Sequence, residues 1–203
     1  MCRRTFRIGL KIAIEYKFMS HQSDHSSIKA FFALWPSAEE RSHLAAWQKP
    51  LMLLCGGRAM SGETLHNTLV FIGNIAQSRL EPLQLAAQEV SGEGFELCFD
   101  VARYWGHNHI VYAAPVHLPQ SLTQLVLGLE QSLIRHGFKF DIREYQPHVT
   151  LMRNAHWTDF PLPTMQPVCW QIKDFALMQS VPQEGFTAYS VLARFPLRPV
   201  VVD

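Results

Sequence analysis

The sequence predicts a mixed α+β fold made of two similar lobes. Three observations carry that expectation. Strand-type and helix-type stretches do not alternate strictly, which argues against a doubly wound parallel sheet. A short pattern, histidine, any residue, threonine, leucine, occurs twice: His66-Asn67-Thr68-Leu69 and His148-Val149-Thr150-Leu151. The two histidines lie 82 positions apart (148 − 66), and the elements around the first copy are partly repeated around the second, as after an internal duplication. Two such lobes facing each other would put both copies in one cleft.

In chain order, residues 30–35 (AFFALW) form a short aromatic run of strand type. Ser37 followed by Glu40 reads as a capping box, with the hydroxyl accepting from free amides and the carboxylate reaching back. A helix over 38–54 follows, with Leu44, Trp47, Leu51 and Leu54 on one face and Gly56-Gly57 as its stop. Residues 65–72 are a strand that carries the first motif. Residues 79–90 form a second helix, with Pro82 in its first turn, where a missing amide costs nothing. Residues 95–104 and 110–114 read as paired strands joined near Gly106. Residues 121–136 give the clearest helix: Leu122, Leu125, Val126, Leu129 and Leu133 recur at helical spacing, and Gly137 ends it. Residues 147–152 are a strand with the second motif, proline-rich 161–167 is a loop, and 170–178 and 188–195 are further strands.

The composition sets bounds on function. The chain has 203 residues, 48% apolar and 17% charged, enough for a real core. A formal net charge of +1 creates no strong field, so any recognition of a polyanion must be local. Cys2, Cys55, Cys98 and Cys169 are far apart, which predicts neither a disulfide framework nor a zinc site and fits a cytoplasmic location. Residues 1–28 differ from the rest. They are basic and then polar, they are interrupted by Lys11 and Glu15, and they suit neither a membrane span nor a secretory signal. They are expected to be a poorly ordered extension, with Met19 as an alternative start, before a single bilobal domain over 29–203.

The motif chemistry follows from strand geometry. Side chains alternate along a strand, so His66 and Thr68 share a face, as do His148 and Thr150. Each motif therefore offers one imidazole and one hydroxyl to a common surface. Two opposed imidazoles can act as acid and base in one turnover. Two hydroxyls can hold anionic oxygens without adding charge. Arg153, at the end of the second motif strand, can clamp a phosphate. The set suits a phosphodiester and calls for no metal or other cofactor; the neighbouring His107 and His109 have no carboxylate in ligand register. A lone histidine in a strand is usually structural, but two copies in matching apolar frames are much harder to dismiss. The five tryptophans read mostly as core, with room for one aromatic to stack a base at the cleft rim.

At these residues the chain resembles the two-histidine phosphoesterase superfamily, and within it the RNA 2′,3′-cyclic phosphodiesterases, also called 2′-5′ RNA ligases or LigT-like proteins. The resemblance covers roughly residues 29–197, through KAFFALWPS, LHNTLVFIG, QPHVTLMRNA and FTAYSVLARFPL. It implies a bilobal duplicated α+β fold, with two antiparallel sheets facing a central cleft and helices outside. It implies metal-independent opening of a terminal 2′,3′-cyclic phosphate to a 2′-phosphate, with 2′-5′ ligation as the reverse type of reaction. Carried over by position, His66 protonates the departing ribose 3′-oxygen and His148 activates water. Thr68, Thr150 and Arg153 hold the phosphate. Asn67 stands where the family has an apolar residue, and should face away from the cleft. Gln146 stands where a basic or aromatic residue is common. The expected partners are RNA ends or 2′,3′-cyclic nucleotides, met by a monomer away from membranes. The alternative is a non-catalytic binder of RNA ends or nucleotides, which would need the cleft but not two proton-transfer groups.

Overall fold

Ten strands and four α-helices succeed one another in the computed structural model, which describes residues 27–157, 160–184 and 186–199. The strands are β1 (Ser27–Leu34), β2 (Arg58–Ala59), β3 (Asn67–Ala76), β4 (Phe95–Phe99), β5 (Val101–Trp105), β6 (Ile110–Ala114), β7 (Val149–Arg153), β8 (Val168–Ile172), β9 (Asp174–Gln183) and β10 (Phe186–Pro196). The helices are α1 (Ala38–Ala45), α2 (Gln48–Cys55), α3 (Leu80–Gln88) and α4 (Gln120–Arg135). The expectations for residues 1–26, poor order and an alternative start at Met19, lie outside the described residues. Ser27 and Ile28, grouped with that extension, open β1.

The fold is α+β, and every pairing between named strands is antiparallel. One half-sheet runs β10-β9-β1-β3, and the other runs β7-β6-β5 with β2 added on β7. The two halves touch through a single residue pair, Asn67 on β3 opposite Val149 on β7, so the lobes share one eight-stranded sheet. Strands β4 and β8 form a separate two-stranded sheet. One core lies under both halves: Phe32, Leu69, Val111 and Leu151 from the strands pack with Leu44 and Leu51 and with the α3 and α4 stripes. On α4 the apolar residues at helical spacing, Leu122 to Leu133, are all buried there. The helices thus cover one side of the sheet and leave the motif side open.

Several elements differ from the periodicity reading, each for a local reason. The helix expected over 38–54 is two helices broken at Ala46 and Trp47. Pro50 explains the break: in a continuous helix it would lack its amide bond and press its ring on the Ala46 carbonyl. The capping box of Ser37 and Glu40 is present. The strand expected over 95–104 splits at Asp100, whose amide donates to the Ala114 carbonyl and whose carboxylate accepts from the Val116 amide. That turn sends β4 to β8 and β5 to β6. The strand expected over 170–178 likewise splits at Lys173.

The expectation of no disulfide is overturned. Cys98 and Cys169 stand directly opposite in the β4–β8 ladder and are joined as a disulfide. A separation of 71 residues concealed the pairing, because only strand register brings the two thiols together. Cys55 is free and buried.

Candidate active site

A single register decision builds the site. Asn67 and Val149 are the middle residues of the two motifs, and they face each other across an antiparallel pair. Such a pair has local two-fold symmetry, so the residue before one partner lies beside the residue after the other. His66 therefore comes beside Thr150, and Thr68 beside His148. Asn67 and Val149 are fully buried and point to the core. Alternation then turns the four flanking side chains to the opposite, open face.

There they line a cavity of about 340 Å³. His66, Thr68, His148, Thr150 and Arg153, the five residues picked out from the sequence, all contribute to its wall. Phe31, Tyr189 and Lys29 join them from strands distant in sequence. Among the described residues no carboxylate lines this cavity. Both histidines sit one position before the strand proper, at the hinge where the half-sheets part.

The two imidazoles are held in the same way. His66 Nδ1 bonds the Thr64 carbonyl at 2.7 Å, and His148 Nδ1 bonds the Gln146 carbonyl at 2.8 Å. A carbonyl can only accept, so in each ring Nδ1 carries the proton and donates it. That fixes the neutral tautomer and leaves Nε2 with a lone pair. Gln146 contributes through its backbone, which a side-chain reading of its position could not reveal.

The surroundings of the two rings differ. Three aromatic rings crowd His66: Tyr189 at 5.0 Å, Phe31 at 5.1 Å and Trp35, stacked, at 5.6 Å between centroids. Burial dominates its titration and lowers the pKa from 6.5 to about 4; the Thr64 carbonyl opposes this, while His148 and Arg153 add to it. His148 meets Trp105 edge-on at 4.6 Å and Tyr112 at 5.8 Å. Its pKa is also lowered, first by burial and further by the charges of Arg143 and Arg153, against the Gln146 carbonyl. Both shifts favour the neutral form of the ring.

Asn67, the expected odd residue between His66 and Thr68, faces away from the cavity but has a partner. Its Oδ1 accepts from the Tyr145 hydroxyl at 3.0 Å. Tyr145 lies three residues before His148, so this bond fastens the approach to the second motif to the middle of the first. Burial is the larger influence on the Tyr145 phenol and pushes its pKa well up, so the hydroxyl stays a donor. Among the described residues Asn67 Nδ2 has no partner. A buried orphan amide of this kind costs about 1–3 kcal/mol, which an apolar residue here would avoid.

Sequence reasoning missed the aromatic cover of His66. A signal was present: along β1, Ala30, Phe32 and Leu34 alternate with Lys29, Phe31 and Ala33, and the second set faces the cavity side. Trp35, expected in the core, stacks on His66, whereas Trp47 and Trp170 are core residues. Among the described residues, the one cluster with metal-ligand spacing is Glu96, Cys98 and Cys169, where both sulfurs are committed to the disulfide.

Comparison with known proteins finds similarity in both sequence and fold. A family model described as LigT like phosphoesterase matches residues 34–112. The RNA 2′,3′-cyclic phosphodiesterase of Escherichia coli K12 is 29% identical over 169 residues, which is 83% of this chain and 96% of that protein. The protein of the same name from Archaeoglobus fulgidus is 27% identical over 108 residues, 52% of this chain and 60% of its own length. The crystal structure of E. coli LigT complexed with 3′-AMP superimposes with a TM-score of 0.77 at 28% identity, covering 85% of this chain and 99% of that one. With the paired motifs in one cavity, the chain is similar to the LigT-like phosphoesterases in sequence and in fold.

Proposed function

We propose that this protein is an RNA 2′,3′-cyclic phosphodiesterase that opens a terminal cyclic phosphate to a 2′-phosphate. The observation that carries the reading is the pair of identically clamped imidazoles, each with a free Nε2, beside two threonines and one arginine in one cavity. The E. coli and A. fulgidus relatives carry that activity in their names, and E. coli LigT was crystallised with 3′-AMP.

In this reading Thr68 and Thr150 donate to the non-bridging oxygens, and the Arg153 guanidinium offsets their charge. His148 Nε2 takes a proton from water as the oxygen attacks phosphorus. The bond from phosphorus to the ribose 3′-oxygen breaks, and that oxygen takes a proton from His66 Nε2. The pair ends with its protons exchanged and resets through solvent. His66 must arrive protonated, although burial lowers its pKa to about 4. The bound phosphate supplies the correction, since a negative charge beside an imidazole favours its charged form. A ribose 5′-hydroxyl in place of water would lead by the same transfers to a 2′-5′ linkage. The chemistry needs one chain and an RNA end, which suits a monomer; among the described residues no helix is long and apolar enough to cross a membrane.

The test is incubation of the purified protein, in EDTA, with an oligoribonucleotide ending in a 2′,3′-cyclic phosphate. Turnover to a 2′-phosphate is expected. A 3′-phosphate product, or retention of RNA without turnover, would contradict the reading.

A further inference from the structure

Among the named strands, β4 and β8 pair only with each other, and a two-stranded ladder is marginal without further support. One face of the ladder finds that support in the core, where Phe95, Leu97, Phe99, Trp170 and Ile172 are buried. Alternation turns the other set outward, and the register puts Glu96 opposite Gln171 and Cys98 opposite Cys169. Two sulfurs, a carboxylate and an amide thus share one solvent-facing patch, and none of them lines the catalytic cavity. The two sulfurs and a Glu96 oxygen all lie within 4.8 Å of one another. Glu96 Oε1 is 3.5 Å from Cys98 Sγ. A disulfide sulfur has no proton to donate, so in the oxidised chain this close approach gains no hydrogen bond. Gln171 Nε2 donates to Glu96 Oε2 and holds the carboxylate in place. In a tetrahedral zinc site, bonds of about 2.3 Å to sulfur and about 2.1 Å to oxygen set the sulfur–oxygen edge at about 3.6 Å. The Glu96–Cys98 pair already stands at that edge.

We infer that the reduced β4–β8 ladder binds one thiophilic divalent cation such as Zn²⁺ through Cys98, Cys169 and Glu96. Reduction comes first. A dithiol reductant gives two electrons and two protons to the Cys98–Cys169 bond, which breaks to two thiols, and the reductant becomes a disulfide. The cation then displaces both thiol protons to solvent and takes the two Sγ atoms and Glu96 Oε1 as ligands. Sulfurs that are no longer bonded must part in any case, and the tetrahedral sulfur–sulfur edge is only about 3.8 Å. The open side of the patch leaves the fourth position to water, and Gln171 orients the carboxylate from outside the ligand set. In a reducing compartment, where a disulfide does not persist, the cation takes its place as the cross-link between β4 and β8. The role is structural and separate from the two-histidine chemistry.

The test titrates Cd²⁺, whose thiolate complexes absorb in the ultraviolet, into the full chain after reduction and anaerobic removal of the reductant. The reduced wild type should take up one Cd²⁺ per chain with the charge-transfer band of two thiolates, and Zn²⁺ should abolish that band by competition. The same chain left oxidised should show no band. Glu96→Gln keeps both sulfurs and should weaken binding at least about tenfold, since even an outer partner of a ligand contributes that much. The double variant Cys98→Ser, Cys169→Ser should show no band, although it retains Cys2 and the buried Cys55. Absence of the band in the reduced wild type, its presence in the oxidised chain or the double variant, or an unchanged affinity in Glu96→Gln would each overturn the site.

Discussion

The two halves of the cleft carry the same short motif at the same place on the same kind of strand, yet they hold their histidines differently. On the β3 side His66 lies among Phe31, Trp35 and Tyr189, and its pKa falls to about 4. On the β7 side His148 meets Trp105 and Tyr112 and the more distant charges of Arg143 and Arg153. Identical carbonyl clamps set the tautomer in both. The difference teaches that the repeated motif sets the orientation of the ring, while the packing of the strands around it sets its proton affinity.

The largest expected effect comes from breaking either half. His66→Ala and His148→Ala should each lower kcat/KM on a cyclic phosphate end by about 10²–10⁴-fold. The double variant should fall little below the worse single one, because the two rings act as a unit. Independent, multiplying losses would contradict a shared turnover.

Arg153 acts on both halves, so Arg153→Gln should affect them together. Loss of a charge-assisted contact should reduce kcat/KM by about 10- to 100-fold. Removing a positive charge that holds down both imidazole pKa values should also move the alkaline limb of the kcat/KM profile to higher pH. An unmoved limb would separate Arg153 from the imidazoles.

Asn67 joins the halves through Tyr145, so Asn67→Leu probes the joint. It removes the orphan Nδ2, a gain, but leaves the buried Tyr145 hydroxyl without its acceptor at a cost of about 1–3 kcal/mol, so the two terms largely offset in net stability. Adding Tyr145→Phe should recover part of that cost in a denaturant titration. No recovery would mean that the hydrogen bond does not couple the motifs.

The smallest effect sharpens the comparison most. Trp35→Ala should let water reach His66 and raise its pKa from about 4 toward 6.5, while His148 stays where it was. A shift of both rings would show that the two environments are not separate.

What could be read from the sequence follows the reach of each signal. His66-x-Thr68 and His148-x-Thr150 were legible because strand alternation is local and the pattern repeats. The stripe on α4 and the Ser37–Glu40 cap were legible for the same reason. The breaks were less so: Pro50 sits early enough in α2 to be tolerated there, so periodicity ran through it, and Asp100 ends β4 only because a hairpin partner takes its amide. The disulfide, the aromatic cover of His66 and the Asn67–Tyr145 bond all join residues far apart in the chain. Strand order decides those contacts, and composition carries no trace of it.

The central claim is that two imidazoles attend one phosphate. NMR titration of His66 and His148, without and then with a saturating phosphate monoester such as 3′-AMP, tests it most directly. Both pKa values should lie below 6.5 in the free protein, with His66 the lower at about 4. Both should rise together on binding, because one anion favours the charged form of each ring. A rise in only one ring, or in neither, would contradict the account.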